Sequence, residues 1–223
     1  MKFNIDNMAT YESFLKINGT VGDLVFYNLN GKNVVRKKSG FNKNAFKKSA
    51  SYEKVRQNSS EFGHCSKIGK AFRQCLESYI KECDDALLYQ KFAKLMTEIK
   101  DLDIILDKGK RNVKNGIATD AGLQMLRDFQ FGNIPSLENS VSISAGLWDY
   151  SLVLNKNINV DEIIVETLKI DFEEYQSEHF KEIISAEKPL NEYVFFKHFS
   201  EDDVLFHFVV LKKDDEIIKM GFV

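Results

Sequence analysis

A chain of 223 residues with 43% hydrophobic and 29% charged side chains, 18 Phe and only two prolines has the makeup of a folded protein and excludes a disordered one. No apolar run approaches the ~20 residues needed to span a bilayer. The net charge of -2 hides a split: residues 1–75 hold 14 Lys and Arg against 5 Asp and Glu, and the remainder holds 17 against 28. Such polarity points to a polyanion or a head-to-tail partner.

The opening residues Met1-Lys2-Phe3-Asn4-Ile5-Asp6 run into polar sequence without an apolar signal core. Cys65, Cys75 and Cys83 are odd in number, lack C-x-x-C spacing and fall in one helical stretch, where they serve as small apolar fillers. A reducing, cytoplasmic location is therefore expected.

The clearest local signal is a β-hairpin. Leu24 to Leu29 runs into Asn30-Gly31, and Lys32 to Lys37 runs out. Asn-Gly suits a two-residue turn in which both central positions need positive φ. Leu29 then faces Lys32, Tyr27 faces Val34 and Val25 faces Arg36, giving one mixed face of Tyr27, Val34, Lys32 and Arg36. A basic arm follows from Lys37 to Lys48, without helical or strand period.

From about Ser51 the pattern turns helical through Tyr52, Val55, Phe62, Cys65, Ile68, Phe72, Cys75, Leu76 and Tyr79, with Gly63 a candidate kink or break. A second helix reads from Leu88 to Leu106, ending near Gly109, and a short one from about Thr119 to Phe129. Gly132 to Ser136 marks a boundary, beyond which the period changes to two. Strands are expected around Val141, Leu152, Val165 to Phe172, Tyr193, Leu205 to Leu211 and Ile217 to Phe222, while Ser177 to Glu187 has a helical alternative. The expected fold is α+β: a β-hairpin and basic arm, central helices and a sandwich-like antiparallel β unit. It divides into residues 1–134 and 135–223.

The search for chemistry is mostly negative. Gly63 to Ala71 is a poor phosphate loop: its glycine spacing is too long, Ala71 stands where a hydroxyl is needed, and it lies within a helix. His64, His179, His198 and His207 lack paired metal-ligand spacing, and His207 alternates with Leu205 and Val209 as a packed residue would. Asp101, Asp103 and Asp107 follow helical sequence rather than a calcium loop. Glu173, Glu174 and Glu178 read as a solvated surface. No cofactor, metal or catalytic residue is expected.

What remains is the basic front. Between Lys32 and Arg73 stand twelve Lys and Arg, opposed only by Glu53 and Glu61. Lys32, Arg36, Lys37, Lys38, Lys43, Lys47, Lys48, Lys54 and Arg56 are the candidate contacts to nucleic acid or an acidic protein surface. Phe41 and Phe46 are candidates to stack on bases, or alternatively anchor the arm to the core.

The stretch Gly19-Thr20-Val21-Gly22-Asp23-Leu24-Val25-Phe26-Tyr27, with Asn30-Gly31-Lys32, Val34-Val35-Arg36-Lys37, Arg56 and Glu61-Phe62-Gly63, resembles a family of uncharacterised bacterial proteins, mostly from the Bacteroidota. The likeness covers roughly the first third of the chain. It implies the hairpin and the order of elements, and carries no activity with it. The expectation is a non-enzymatic binding or assembly protein with nucleic acid as leading partner. The alternative is a subunit of a phage-derived or other large assembly, self-associating through basic-to-acidic contacts.

Overall fold

The computed structural model describes residues 8–13, 16–38, 43–154, 158–186, 190, 192–200 and 202–223. The chain forms two compact units, Met1–Glu53 and Lys54–Val223. The fold is α+β.

In the first unit, β1 (Met8–Thr10), β2 (Gly19–Val21), β3 (Leu24–Leu29) and β4 (Lys32–Lys37) make an antiparallel sheet in the order β1-β4-β3-β2. The β3–β4 turn has the expected form: Asn30 and Gly31 sit at φ 50° and 80°, and Leu29 pairs with Lys32, Tyr27 with Val34 and Val25 with Arg36. The Asn28 side chain accepts a hydrogen bond from the Gly31 amide at 3.0 Å. The arm is more regular than its sequence suggests. Lys43–Lys48 forms α1, and Ser49 caps a 3-10 turn at Ala50–Tyr52 through its side-chain oxygen.

The second unit opens with α2 (Glu53–Cys75), which runs through Gly63 without a break. Its buried side chains Cys65, Ile68, Phe72 and Cys75 recur at spacings of three and four, as one helix face requires. Then come α3 (Glu77–Glu82), α4 (Leu88–Asp101), α5 (Val113–Ile117) and α6 (Asp120–Arg127). Helix α4 stops two turns short of the expected Gly109. The Asp103 carboxylate accepts the Ile105 and Leu106 amides at 2.9 and 3.2 Å, holding the chain in a turn. Thr119 caps α6, accepting from the Gly122 amide at 3.0 Å.

The strands are β5 (Val141–Ala145), β6 (Asp149–Leu154), β7 (Glu162–Ile170), β8 (Ser177–Ser185), β9 (Tyr193–Phe196), β10 (Leu205–Lys213) and β11 (Glu216–Phe222). They form a four-stranded antiparallel sheet, β11-β10-β7-β8, and a three-stranded one, β5-β6-β9. The helical alternative for Ser177 to Glu187 gives way to β8, an edge strand paired along its length with β7. Its largely exposed side chains leave no clean alternation to read in the sequence.

The four-stranded sheet is apolar on both faces. Ile164, Leu168, Phe206, Phe208, Val210 and Met220 pack with the helices, whereas Ile163, Val165, Val209 and Leu211 pack with Leu152, Tyr193 and Phe195 of the smaller sheet. The result is three layers: helices, central sheet, small sheet. Phe72 meets Phe206 at 5.0 Å and Phe222 at 5.8 Å, and Phe131, after α6, meets Phe208 at 5.0 Å, so aromatic edges lock α2 and the segment after α6 to the sheet. The division expected at residue 134/135 differs from the one between compact units, because helices and strands on either side of Pro135 share this core.

Two glycines test the packing in opposite directions. A Cβ at Gly116 would collide with the Ile99 carbonyl oxygen, whereas one at Gly63 meets nothing within 4 Å. Gly116→Ala is expected to destabilise by about 2 kcal/mol or more. Gly63→Ala is expected to stabilise α2 by about 0.5–1 kcal/mol. Urea denaturation of the two variants measures both.

Candidate functional site

The hairpin register distributes the basic side chains of the first unit. Lys32 and Arg36 lie on the face of Val25, Tyr27 and Val34, and Lys37 lies opposite with Leu24. That first face is not the open mixed surface its sequence suggests, since β4 is an inner strand, Val34 is buried, and Tyr27 and Arg36 are partly covered. Lys38 extends the ladder, its amide donating to the Asp23 carbonyl at 2.6 Å. Lys43 and Lys47 stand one turn apart on α1, with Lys48 beside them.

Lys32, Lys37, Lys38, Lys43, Lys47 and Lys48 are all exposed. Among the described residues none of them, nor Arg36, has a carboxylate partner. In the second unit Lys54 is exposed and Arg56 partly buried on the first turns of α2. Many other cations of that unit are neutralised: Lys81 by Glu77, Lys91 by Asp85, Lys169 by Asp203 and Lys213 by Asp161, at 2.6–3.0 Å. Phe46 is half-buried, its ring edge-on to Tyr52 at 5.9 Å. Phe41 lies outside the described residues.

The second constellation was not singled out from sequence. Glu61 of α2 is buried and accepts four hydrogen bonds: from Lys100 Nζ at 2.7 Å, Arg111 Nε at 3.0 Å, Arg111 Nη2 at 2.9 Å and the Gly109 amide at 2.6 Å. Asp101 bridges Lys100 and Arg111 from the solvent side, at 2.6 and 2.8 Å. Asp103 receives the Asn112 amide and the Asn115 side chain, both at 3.0 Å. Together these bonds fasten the 101–112 loop onto α2 and α4. Arg111, against the opposing effect of burial, and then Lys100 and the Gly109 amide hold the Glu61 carboxyl down from 4.5 to about 2. A signal was available, since Glu61 occupies the same helical stripe as Cys65, Ile68, Phe72 and Cys75. Above the network opens a cavity of about 600 Å³ walled by Val55, Phe62, Thr97, Lys100, Lys108 and Arg111.

The histidines are bonded within the fold. His64 accepts the Val113 amide at Nε2, 3.0 Å away, and its Nδ1 lies 3.3 Å from the Tyr175 hydroxyl. His207 lies among Tyr150, Phe195 and Thr167, and burial lowers it to about 4. His198 meets Glu182 at 2.8 Å. His179 meets the buried Glu166 at 2.9 Å, whose other oxygen accepts the Tyr79 hydroxyl at 2.7 Å. The cysteines are buried and free, and burial pushes the Cys65 and Cys83 thiols up to about 11, far from a reactive thiolate. No helix among the described residues is long and apolar enough to cross a membrane.

The Glu61 network makes an acid-sensitive brace. A carboxylate whose pKa is lower in the folded chain stabilises the fold above its unfolded pKa, and that stabilisation is lost as pH falls from 4.5 toward 2. Glu61→Gln is expected to cost about 3 kcal/mol at pH 7, by leaving Lys100 and Arg111 without their shared anion. The difference from wild type should close as the pH drops through that window. Urea denaturation at a series of pH values follows it.

Comparison with protein-family models, with curated proteins and with solved structures finds no match to the chain.

Proposed function

We propose that the chain is a non-enzymatic binding protein whose basic N-terminal segment engages a polyanion, with nucleic acid as the leading partner. One observation carries the reading. Lys32, Lys37, Lys38, Lys43, Lys47 and Lys48 of the first unit are exposed and lack carboxylate partners among the described residues, while many cations in the second unit are paired. Exposed cations without fixed counter-charges are the ones that exchange water and mobile ions for phosphate oxygens.

The distribution favours phosphate neutralisation over sequence reading. Lys32 and Arg36 face one way, Lys37 faces the other, and Lys43 and Lys47 ride on a six-residue helix. Base reading needs several donors converging on one groove. A binder of this kind follows the backbone, and its affinity depends steeply on salt.

The test is binding of the full chain to labelled DNA and RNA of mixed sequence across a salt series. The variant Lys37→Ala/Lys38→Ala/Lys47→Ala/Lys48→Ala should bind more weakly. Its slope of log affinity against log salt should fall by about 3, from the roughly 0.7–0.9 that each phosphate contact contributes. Unchanged affinity and slope would sink the proposal. Salt-sensitive self-association without nucleic acid would instead assign these cations to an acidic protein surface, including that of a second copy.

A further inference from the structure

The hairpin joining β5 to β6 turns in two residues. The Gly146 amide donates to the Asp149 carbonyl at 2.8 Å, leaving Leu147 and Trp148 at the tip. Gly, Asn and Asp usually fill such a turn. Here the two tip side chains are large, apolar and almost wholly in water, 86% and 85% exposed. Leaving a side chain of this size in solvent forgoes about 1.5–3 kcal/mol that burial would supply. Trp148 is the chain's one tryptophan.

The cavity in the helical layer has the complementary character. Val55 and Phe62 wall it with partly exposed apolar surface, and Lys108 and Arg111 offer cations to an aromatic face. Its rigid base is the Glu61–Lys100–Arg111 network. The loop that supplies Lys108 also carries Ile104 and Ile105, 93% and 76% exposed. Charge agrees as well. The cavity sets Lys100, Lys108 and Arg111 against Glu61 and Asp101, an excess of one cation. The tip has Asp149 at its base, while Glu192, bonded to Ser151 of β6, and Lys197, over the Tyr150 ring, flank β9.

We infer that the Leu147-Trp148 tip of one copy docks in the Val55–Phe62 cavity of a second copy. The tip belongs to the small sheet and the cavity to the helices, with the central sheet between them. A projection and a recess on different layers of one unit make a head-to-tail contact that closes into a ring or continues as a chain. This contact lies entirely within Lys54–Val223 and is independent of the polyanion proposal. It is apolar, so it persists in about 1 M salt, where charge contacts are screened beyond about 3 Å.

Trp148 reports the contact directly. In about 1 M salt, its emission in the full chain should move to shorter wavelength as concentration rises from about 1 μM to about 1 mM, a range spanning modest affinities. Sedimentation should show matching growth in mass. Phe62→Glu spoils the recess and Trp148→Ser removes the projection, and each should weaken association at least about tenfold. Both side chains are exposed, so circular dichroism and thermal unfolding should match the wild type. Mixing the two variants reunites one good projection with one good recess, restoring the emission shift in a species no larger than a dimer. Emission that ignores concentration, or association that survives both substitutions, overturns the inference. So does a shift produced only by added phospholipid vesicles, which would give the tip to a bilayer surface.

Discussion

Strands β7 and β10 lie side by side at the centre of a sheet that is apolar on both faces, and the second unit is organised around covering them. Val165 pairs with Val209 and Ile164 with Val210, so neighbouring residues of each strand point into different cores. Water on either face would expose a continuous apolar surface, at roughly 25 cal/mol for each Å² left uncovered. On one side the helices answer with Phe72 and Phe92, joined by Phe131 from the segment after α6, and the small sheet answers on the other with Leu152, Tyr193 and Phe195. Double coverage also buries the polar members of those strands. Glu166 then needs Tyr79 and His179, and His207 is kept neutral among aromatic rings.

The helical layer carries a second constraint. Helices α2 and α4 bury Glu61 and Lys100 beside their apolar stripes, and an unpaired charge there would be costly. Each supplies the other's partner at 2.7 Å, and Arg111 reaches in from the loop after α4 to complete the set. The loop cannot leave without stranding Glu61, so an ion pair does for this edge what Phe72 does for the middle of α2. The cavity owes its shape to that brace. Among its walls Val55, Phe62 and Lys108 are exposed, while Glu61 and Lys100 beneath them are buried and hydrogen-bonded.

How much of this was legible depends on whether the signal is local. Asn30-Gly31 dictates its own backbone, so the hairpin and its register follow from sequence alone. The repeating apolar positions of α2, α4 and α6 and most of the strands are equally local. Strand β8 was ambiguous because an edge strand exposes polar and apolar side chains alike. Pro135 marks a genuine change of period, but period says nothing about which surfaces later meet, and here they share one core. The partners of Glu61 lie 39 and 50 residues away. Its place on a buried stripe was visible, while the ion pair was not. The basic residues of the hairpin could be placed on its two faces from sequence, yet only the pairing of β1 with β4 makes β4 an inner strand.

The two proposed contacts differ in the force that drives them, and this separates their roles. Surface cations act on a polyanion through counterion release and through fields that decay within about 8 Å at physiological ionic strength. Such binding is fast, tolerant of sequence and readily reversed by salt. An indole in an apolar recess gains from leaving water, which salt does not screen, and it requires a matching shape. Under the two proposals, polyanion binding would set where the chain accumulates, while the tip and cavity would set how copies are ordered once they are there. Along a polyanion, where local concentration is high, even a weak head-to-tail contact becomes effective because the second encounter is no longer a search through bulk solution. The polarity of the sequence fits this division, with the basic surplus at one end of the chain and the exposed Leu147-Trp148 tip in the other.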